Sequence, residues 1–239
     1  MTETLTPSTK IRSNTIYRIE HEITGTINVA NVRDVTFEGG TLIGGYNLTG
    51  VNNGITWADQ EIQATNIGVQ IRSDGSKIEF YNCDLHGGNY GTWIRPASGG
   101  YVSGLLFDGC QVHSTRDDSV YVYKAHRFTF KNGLIHHSNL NWKAPETSQK
   151  VAAGDGMQLI LCDRVSIEGN TIDRSQPVTS SALSFQVRQD RITPRKYRIT
   201  LSRSITILSF SRLRPLRVGP GCTLVTYHQT LSPSLHLTS

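Results

Sequence analysis

No apolar run in this 239-residue chain approaches the ~20 residues that a membrane-spanning helix needs. No segment carries a helical apolar stripe either, which argues against an α or α/β fold. Cysteine is scarce: Cys83, Cys110, Cys162 and Cys222 are too few for a disulfide scaffold and lack paired metal-ligand spacing. The N-terminus, Met1-Thr-Glu-Thr-Leu-Thr, has no basic region and no apolar core, so no signal peptide is expected there. The net charge of +5 is unevenly placed. Residues 181–239 hold eight Arg and one Lys against a single acid, Asp190, a balance of +8. The first 180 residues hold 15 basic and 18 acidic side chains, a balance of −3, and nothing in them suggests nucleic acid.

What the chain does have is a phrase that returns with changed letters. It begins at Phe37, Phe80, Phe107, Phe130 and Ile167, as in Phe80-Tyr-Asn-Cys-Asp-Leu-His and Phe107-Asp-Gly-Cys-Gln-Val-His. Each copy has a large apolar residue, a polar hinge rich in Asn and Gly, and a second apolar residue five positions on. The starts are 43, 27, 23 and 37 residues apart, so a coil of roughly 22–25 residues fits if some coils carry loops. A unit this short cannot bury its own apolar face and must stack on its neighbours. Short alternating runs, among them Val69-Gln-Ile71, Ile78-Glu-Phe80 and Phe128-Thr-Phe130, read as strands. Strand-turn-strand units that stack make a parallel β-helix.

Two copies align further upstream. Asp118 and Asp155 each lie twelve residues before their phrase start, and Val120 matches Met157, Val122 matches Leu159 and Arg127 matches Arg164. The segment 138–154 is then an insertion projecting from the stack, and a shorter one containing Pro96 and Gly99-Gly100 follows Ile94. Such loops commonly line the binding face of a repeat protein. The alignment also puts Cys83 and Cys110 at one corner of consecutive coils. Either a bridge or two small buried thiols fits there.

The grammar stops after Gln176. The expected organisation is an N-terminal segment over residues 1–10, a repeat domain over 11–180 and a Ser-, Leu- and Arg-rich tail over 181–239. The tail contains no Asn, Glu or Trp. Two readings of it stand. One is a basic extension that caps the solenoid or binds an acidic partner. The other is a frameshifted read-through, disordered or unselected, in which case the solenoid is truncated and lacks its last coils and natural cap.

The strongest chemical constellation is Arg116-Asp117-Asp118-Ser119, with Asp155 at the matching place on the next coil. Carboxylates one strand spacing apart suit general acid and base or nucleophilic work on a glycosidic bond. They can also bind Ca²⁺ through oxygen. An acidic turn without function is the plain alternative. With Val120 and Val122 inward, Ser119, Tyr121 and Tyr123 point outward beside Gln158. Outward aromatics among amides and carboxylates suit sugar rings. Trp93, whose facing is ambiguous, together with Arg95 and Lys124, completes the candidate groove. His86, His113 and His136 each stand six residues after a phrase start, either as a metal site or as a solvent-facing ladder.

The body, over about residues 15–175, resembles the pectin-lyase-like right-handed parallel β-helix superfamily, which includes polygalacturonases, pectate lyases and phage tailspikes. The pieces that carry the resemblance are Arg-Asp-Asp118-Ser-Val-Tyr-Val, Gly-Asp155-Gly-Met-Gln-Leu and Val165-Ser-Ile-Glu-Gly-Asn-Thr-Ile172. The resemblance implies a polysaccharide partner, uronate-containing, and either hydrolysis or lyase chemistry in which Arg or Lys abstracts a proton beside a uronate carboxylate, often with Ca²⁺. It also implies an extracellular or cell-surface site of action. The competing expectation is a non-catalytic glycan-binding module such as a phage tailspike, trimeric in that case, or a surface adhesin.

Overall fold

A computed structural model describes residues 1–96, 100–138 and 156–172, and the backbone of four later strands. Every named strand pairing is parallel, and coil follows coil in one solenoid. The first strand, β1 (Thr2–Thr4), pairs with β2. One wall is built from β2 (Thr15–Arg18), β4 (Arg33–Glu38), β6 (Val51–Ala58), β8 (Asp74–Tyr81), β11 (Val102–Asp108), β14 (Ala125–Lys131), β17 (Val165–Ile172) and β19 (Tyr197–Leu201). The facing wall begins with three long strands, β3 (Ile23–Ala30), β5 (Thr41–Thr49) and β7 (Glu61–Ile71). It then splits into two short strands per coil: β9 (Asp84–Gly87) with β10 (Tyr90–Ile94), β12 (Gln111–His113) with β13 (Val120–Tyr123), and β15 (Leu134–His136) with β16 (Met157–Ile160). The ladder continues through β18 (Leu183–Gln186), β20 (Ile205–Ile207) and β21 (Leu224–Thr226). No helix among the described residues is long and apolar enough to cross a membrane.

The recurring phrase marks the first wall and its exit corner. Tyr17, Phe37, Trp57, Phe80, Phe107, Phe130 and Ile167 occupy one register position on successive coils, all with no solvent exposure. The intervals between them are 20, 20, 23, 27, 23 and 37 residues. The 43-residue gap in the sequence pattern therefore hides a coil, whose phrase is Trp57-Ala-Asp-Gln-Glu-Ile, and Tyr17 adds another before it. The Trp57 coil escapes the pattern because its hinge has neither Gly nor Asn. The rings stack at centroid distances of 5.8, 5.7, 4.6, 4.4 and 5.5 Å from Tyr17 through Phe130. Such pairs each contribute roughly 0.5–1.5 kcal/mol beyond area burial.

Two residues past each of these positions, from Phe37 onward, the backbone turns through the left-handed region. Gly39, Asp59, Asn82, Gly109, Asn132 and Gly169 do so with φ between 50° and 69°. Gly, Asn and Asp tolerate that conformation best, which is why the hinge is written in those letters. The next residue drops inward, where Gln60, Cys83, Cys110 and Asn170 are each 1% exposed. Asn170 secures its corner by accepting from Gly133 N (2.7 Å) and donating to Phe130 O (2.7 Å). Cys83 and Cys110 fill theirs as free buried thiols, and Cys162 is buried as well. Cys222 lies outside the described residues.

Candidate functional site

The outward face of β10, β13 and β16 carries most of the candidate residues. Strand alternation there buries Thr92, Ile94, Val120, Val122, Met157 and Leu159 and turns the intervening side chains to solvent. The register pairs Gln70 with Trp93, Trp93 with Tyr121, and Tyr121 with Gln158, so four expected or neighbouring groups form one ladder along the solenoid axis. Trp93 faces outward, half-buried, and its ring stacks on Tyr121 at 6.0 Å and 13°.

The adjacent ladder is cationic and aromatic. Arg72 reaches over the Trp93 ring with its guanidinium carbon 5.8 Å from the centroid, and Arg95 reaches over Tyr123 at 5.5 Å. Lys124 Nζ lies 5.5 Å from the Tyr123 ring centre and 5.8 Å from that of Tyr101. Lys124 is itself a left-handed corner, φ 61°, which lifts its side chain to the rim. Each cation sits over a ring face, where the quadrupole attracts it. Arg72 and Arg95 remain exposed, while the rings they cover are half-buried.

Asp117 joins this surface at its edge. Its Oδ2 accepts a hydrogen bond from the Tyr90 hydroxyl at 2.8 Å, and Tyr90 meets Tyr121 edge-on at 6.2 Å. Burial, and then the Asp117 carboxylate beside it, push the Tyr90 hydroxyl well above the usual phenol range, so it stays a donor. Burial also raises Tyr121, against the opposing effect of Arg95. The loop holding Asp117 is pinned by Arg116 N to Gly88 O and Asp117 N to Asn89 O, at 3.0 and 2.9 Å.

Asp118 is placed differently: it is buried, only 5% exposed, rather than on the open face. Asp155 lies outside the described residues, although the register that aligned it is present in Val120–Met157 and Val122–Leu159. Ser119, expected outward, is fully buried and corrects that reading. It precedes β13, so strand alternation does not yet govern it, and its hydroxyl is shared with Thr115 (3.0 Å) and Ser138 (2.6 Å). Among the described residues no three His, Cys, Asp or Glu side chains converge on a common point as metal ligands. The described part of the acidic cluster therefore does not make a Ca²⁺ cage, which needs several oxygens around one centre.

The histidines form a ladder on β9, β12 and β15, with rings stacked at 5.1 and 4.7 Å. Each ring finds a partner on the preceding coil: His86 Nε2 to Glu61 (3.0 Å), His113 Nε2 to Asp84 (3.0 Å) and His136 Nε2 to Gln111 (3.1 Å). Parallel rings whose Nε2 atoms are already engaged do not present those atoms as a chelating set.

Sequence reasoning missed Arg72, Gln70 and Tyr90. Arg72 was legible as Arg95 moved back one 23-residue interval, but only once the register of β7 and β10 was known.

A family model described as "Right handed beta helix region" matches residues 67–199, more than half of the chain. The chain belongs to the right-handed β-helix family. The β-helix is similar to the crystal structure of pectate lyase Pel9A, with 12% sequence identity and a TM-score of 0.41. That match covers 95% of this chain and 65% of the other. No curated protein matches the sequence.

Proposed function

We propose that this β-helix protein binds an acidic polysaccharide along the outward face of β10, β13 and β16 and cleaves it there. The observation that carries this reading is the Trp93–Tyr121 platform, bordered by Arg72, Arg95 and Lys124 and edged by Asp117. A sugar ring offers an apolar face to the stacked aromatics, and its hydroxyl edge meets the amides of Gln70 and Gln158. A uronate carboxylate gives the guanidinium groups a planar partner to grip in bidentate fashion. In cleavage, Arg95 and Lys124 neutralise the uronate, and Asp117, hydrogen-bonded to Tyr90, is the carboxylate placed to exchange a proton at the platform's edge. The partner acid or base is Asp118, next to it in sequence, or Asp155, twelve residues before Ile167.

The test is incubation with pectate, alginate and other uronates, with and without Ca²⁺, following ultraviolet absorbance, reducing ends and tryptophan fluorescence. Absorbance in the unsaturated-uronate band identifies a lyase, and reducing ends alone identify a hydrolase. Tryptophan quenching that Trp93→Phe abolishes, without product, makes the protein a non-catalytic glycan-binding module, of the tailspike or adhesin kind. Neither quenching nor product with any uronate removes the whole reading.

A further inference from the structure

One corner away from the platform, three successive coils place a serine, a histidine and an aspartate on one rung. Ser103 is the register partner of His126, and His126 bridges in parallel to Asp163. All three precede a left-handed residue, Gly104, Arg127 and Arg164, with φ of 68°, 59° and 48°. This repeated turn holds their side chains at the same height on the surface. Asp163 Oδ1 lies 2.6 Å from His126 Nδ1. It is shielded from solvent, and the contact is off the N–H axis, so a small turn of the ring makes it a hydrogen bond. A carboxylate at Nδ1 favours the tautomer that leaves the Nε2 lone pair free. With Nδ1 engaged by Asp163, His126 Nε2 has no hydrogen-bond partner among the described residues, and Ser103 is the register neighbour on the preceding coil.

Ser103 has a second neighbour suited to acyl chemistry. Arg127 Nη2 donates to Ser103 Oγ at 3.3 Å, which puts a guanidinium beside the hydroxyl that would attack a carbonyl, within reach of the oxygen on which negative charge develops. On its other side the rung continues as Ser76, whose hydroxyl is turned away to donate to Asn53 Oδ1 at 2.9 Å. Neither the His126 nor the Asp163 side chain is buried, at 35% and 36% exposure, so a substrate can reach the rung.

We propose that Ser103, His126 and Asp163 form a second active site that hydrolyses small O-acyl esters, with Arg127 stabilising the oxyanion. A rotation about the Ser103 Cα–Cβ bond moves Oγ from Arg127 toward His126 Nε2. Oγ then bonds to the acyl carbon while its proton passes to Nε2. The ester C–O bond breaks, and the alcohol leaves with that proton. Water attacks the acyl-serine with His126 again as base, releasing the acid and restoring Ser103. Catalytic hydrogen bonds commonly tighten only with substrate bound, which is the role of the ring turn and the serine rotation.

The experiment treats the full chain with a fluorophosphonate probe and maps the adduct by peptide mass spectrometry, alongside p-nitrophenyl acetate hydrolysis. An adduct on Ser103, blocked by acid, is expected. S103A and H126A should each lower hydrolysis by at least about a hundredfold, and D163N by less. Hydrolysis that persists in S103A is general imidazole catalysis and overturns the proposal, as does wild-type protein that carries no Ser103 adduct. The labelling needs no variant, so a variant that fails to fold leaves it decisive.

Discussion

Trp93 and Tyr121 stand on consecutive coils with their rings 6.0 Å apart and 13° from parallel, both open to solvent on one side. A stack on the outside of a solenoid gains little from burial. Its flat, half-exposed surface is available to a ligand with an apolar face. Replacing either ring by Ala should weaken uronate binding by about tenfold, equivalent to roughly 1.4 kcal/mol. Thermal stability should change little, since neither ring is in the core. Titration calorimetry with a uronate oligomer, paired with a thermal melt, separates the two effects.

The cations beside that stack predict a salt signature. Arg95 is exposed and lies over Tyr123, with Lys124 over the same ring. Attraction between such groups and a carboxylated glycan is screened over a Debye length of ~8 Å at physiological salt. Arg95→Gln should reduce affinity at low ionic strength and flatten its salt dependence. A neutral glycan of the same length should show neither change. Equal salt dependence in Arg95→Gln and the parent protein would remove Arg95 from the binding face.

In the core, the test lies where two coils meet. Phe107 has no solvent exposure and packs against Phe80 at 4.4 Å and Phe130 at 5.5 Å. Phe107→Ala should cost about 3–5 kcal/mol, because the rings on either side are fixed by their own strands and cannot close the gap. Trp57→Phe keeps the stack and should cost less. Denaturant midpoints of the two variants rank them, and equal midpoints would mean that the stack adapts freely.

The repeat was readable because its hinge letters follow from backbone conformation. Asn82, Gly109 and Asn132 announce left-handed corners by their residue types, while Asp59 does the same work without Gly or Asn beside it and so concealed the Trp57 coil. Outward facing was readable where strand alternation holds, as at Tyr121, Tyr123 and Gln158. The pattern failed at Ser119, one residue outside β13, where hydroxyl contacts with Thr115 and Ser138 decide the facing. Tyr90 and the Ser103–His126–Asp163 rung were invisible for another reason. Their partners come from other coils, 27, 23 and 37 residues away, and only register brings them together.

The histidine ladder gives the protein a defined response to acid. Burial holds the His113 imidazole below its ordinary 6.5, with His86 and His137 adding like charge and Asp84 opposing them. A base whose folded pKa is depressed takes up its proton more readily in the unfolded chain. Its contribution is therefore complete above about pH 6.5 and is lost as pH falls from there to the folded value. Glu61 acts lower on the scale: hydrogen bonds from His86 and Thr41 hold it below its ordinary 4.5, so its contribution is lost as pH falls from 4.5 through the folded value. Melting temperature should thus decline in two stages on acidification. His113→Gln should remove the upper stage and leave the lower one. Thermal melts followed by circular dichroism, from about pH 7.5 down to about pH 2, check this. A His113→Gln variant that still weakens between about pH 6.5 and pH 5 would place the acid response at another group.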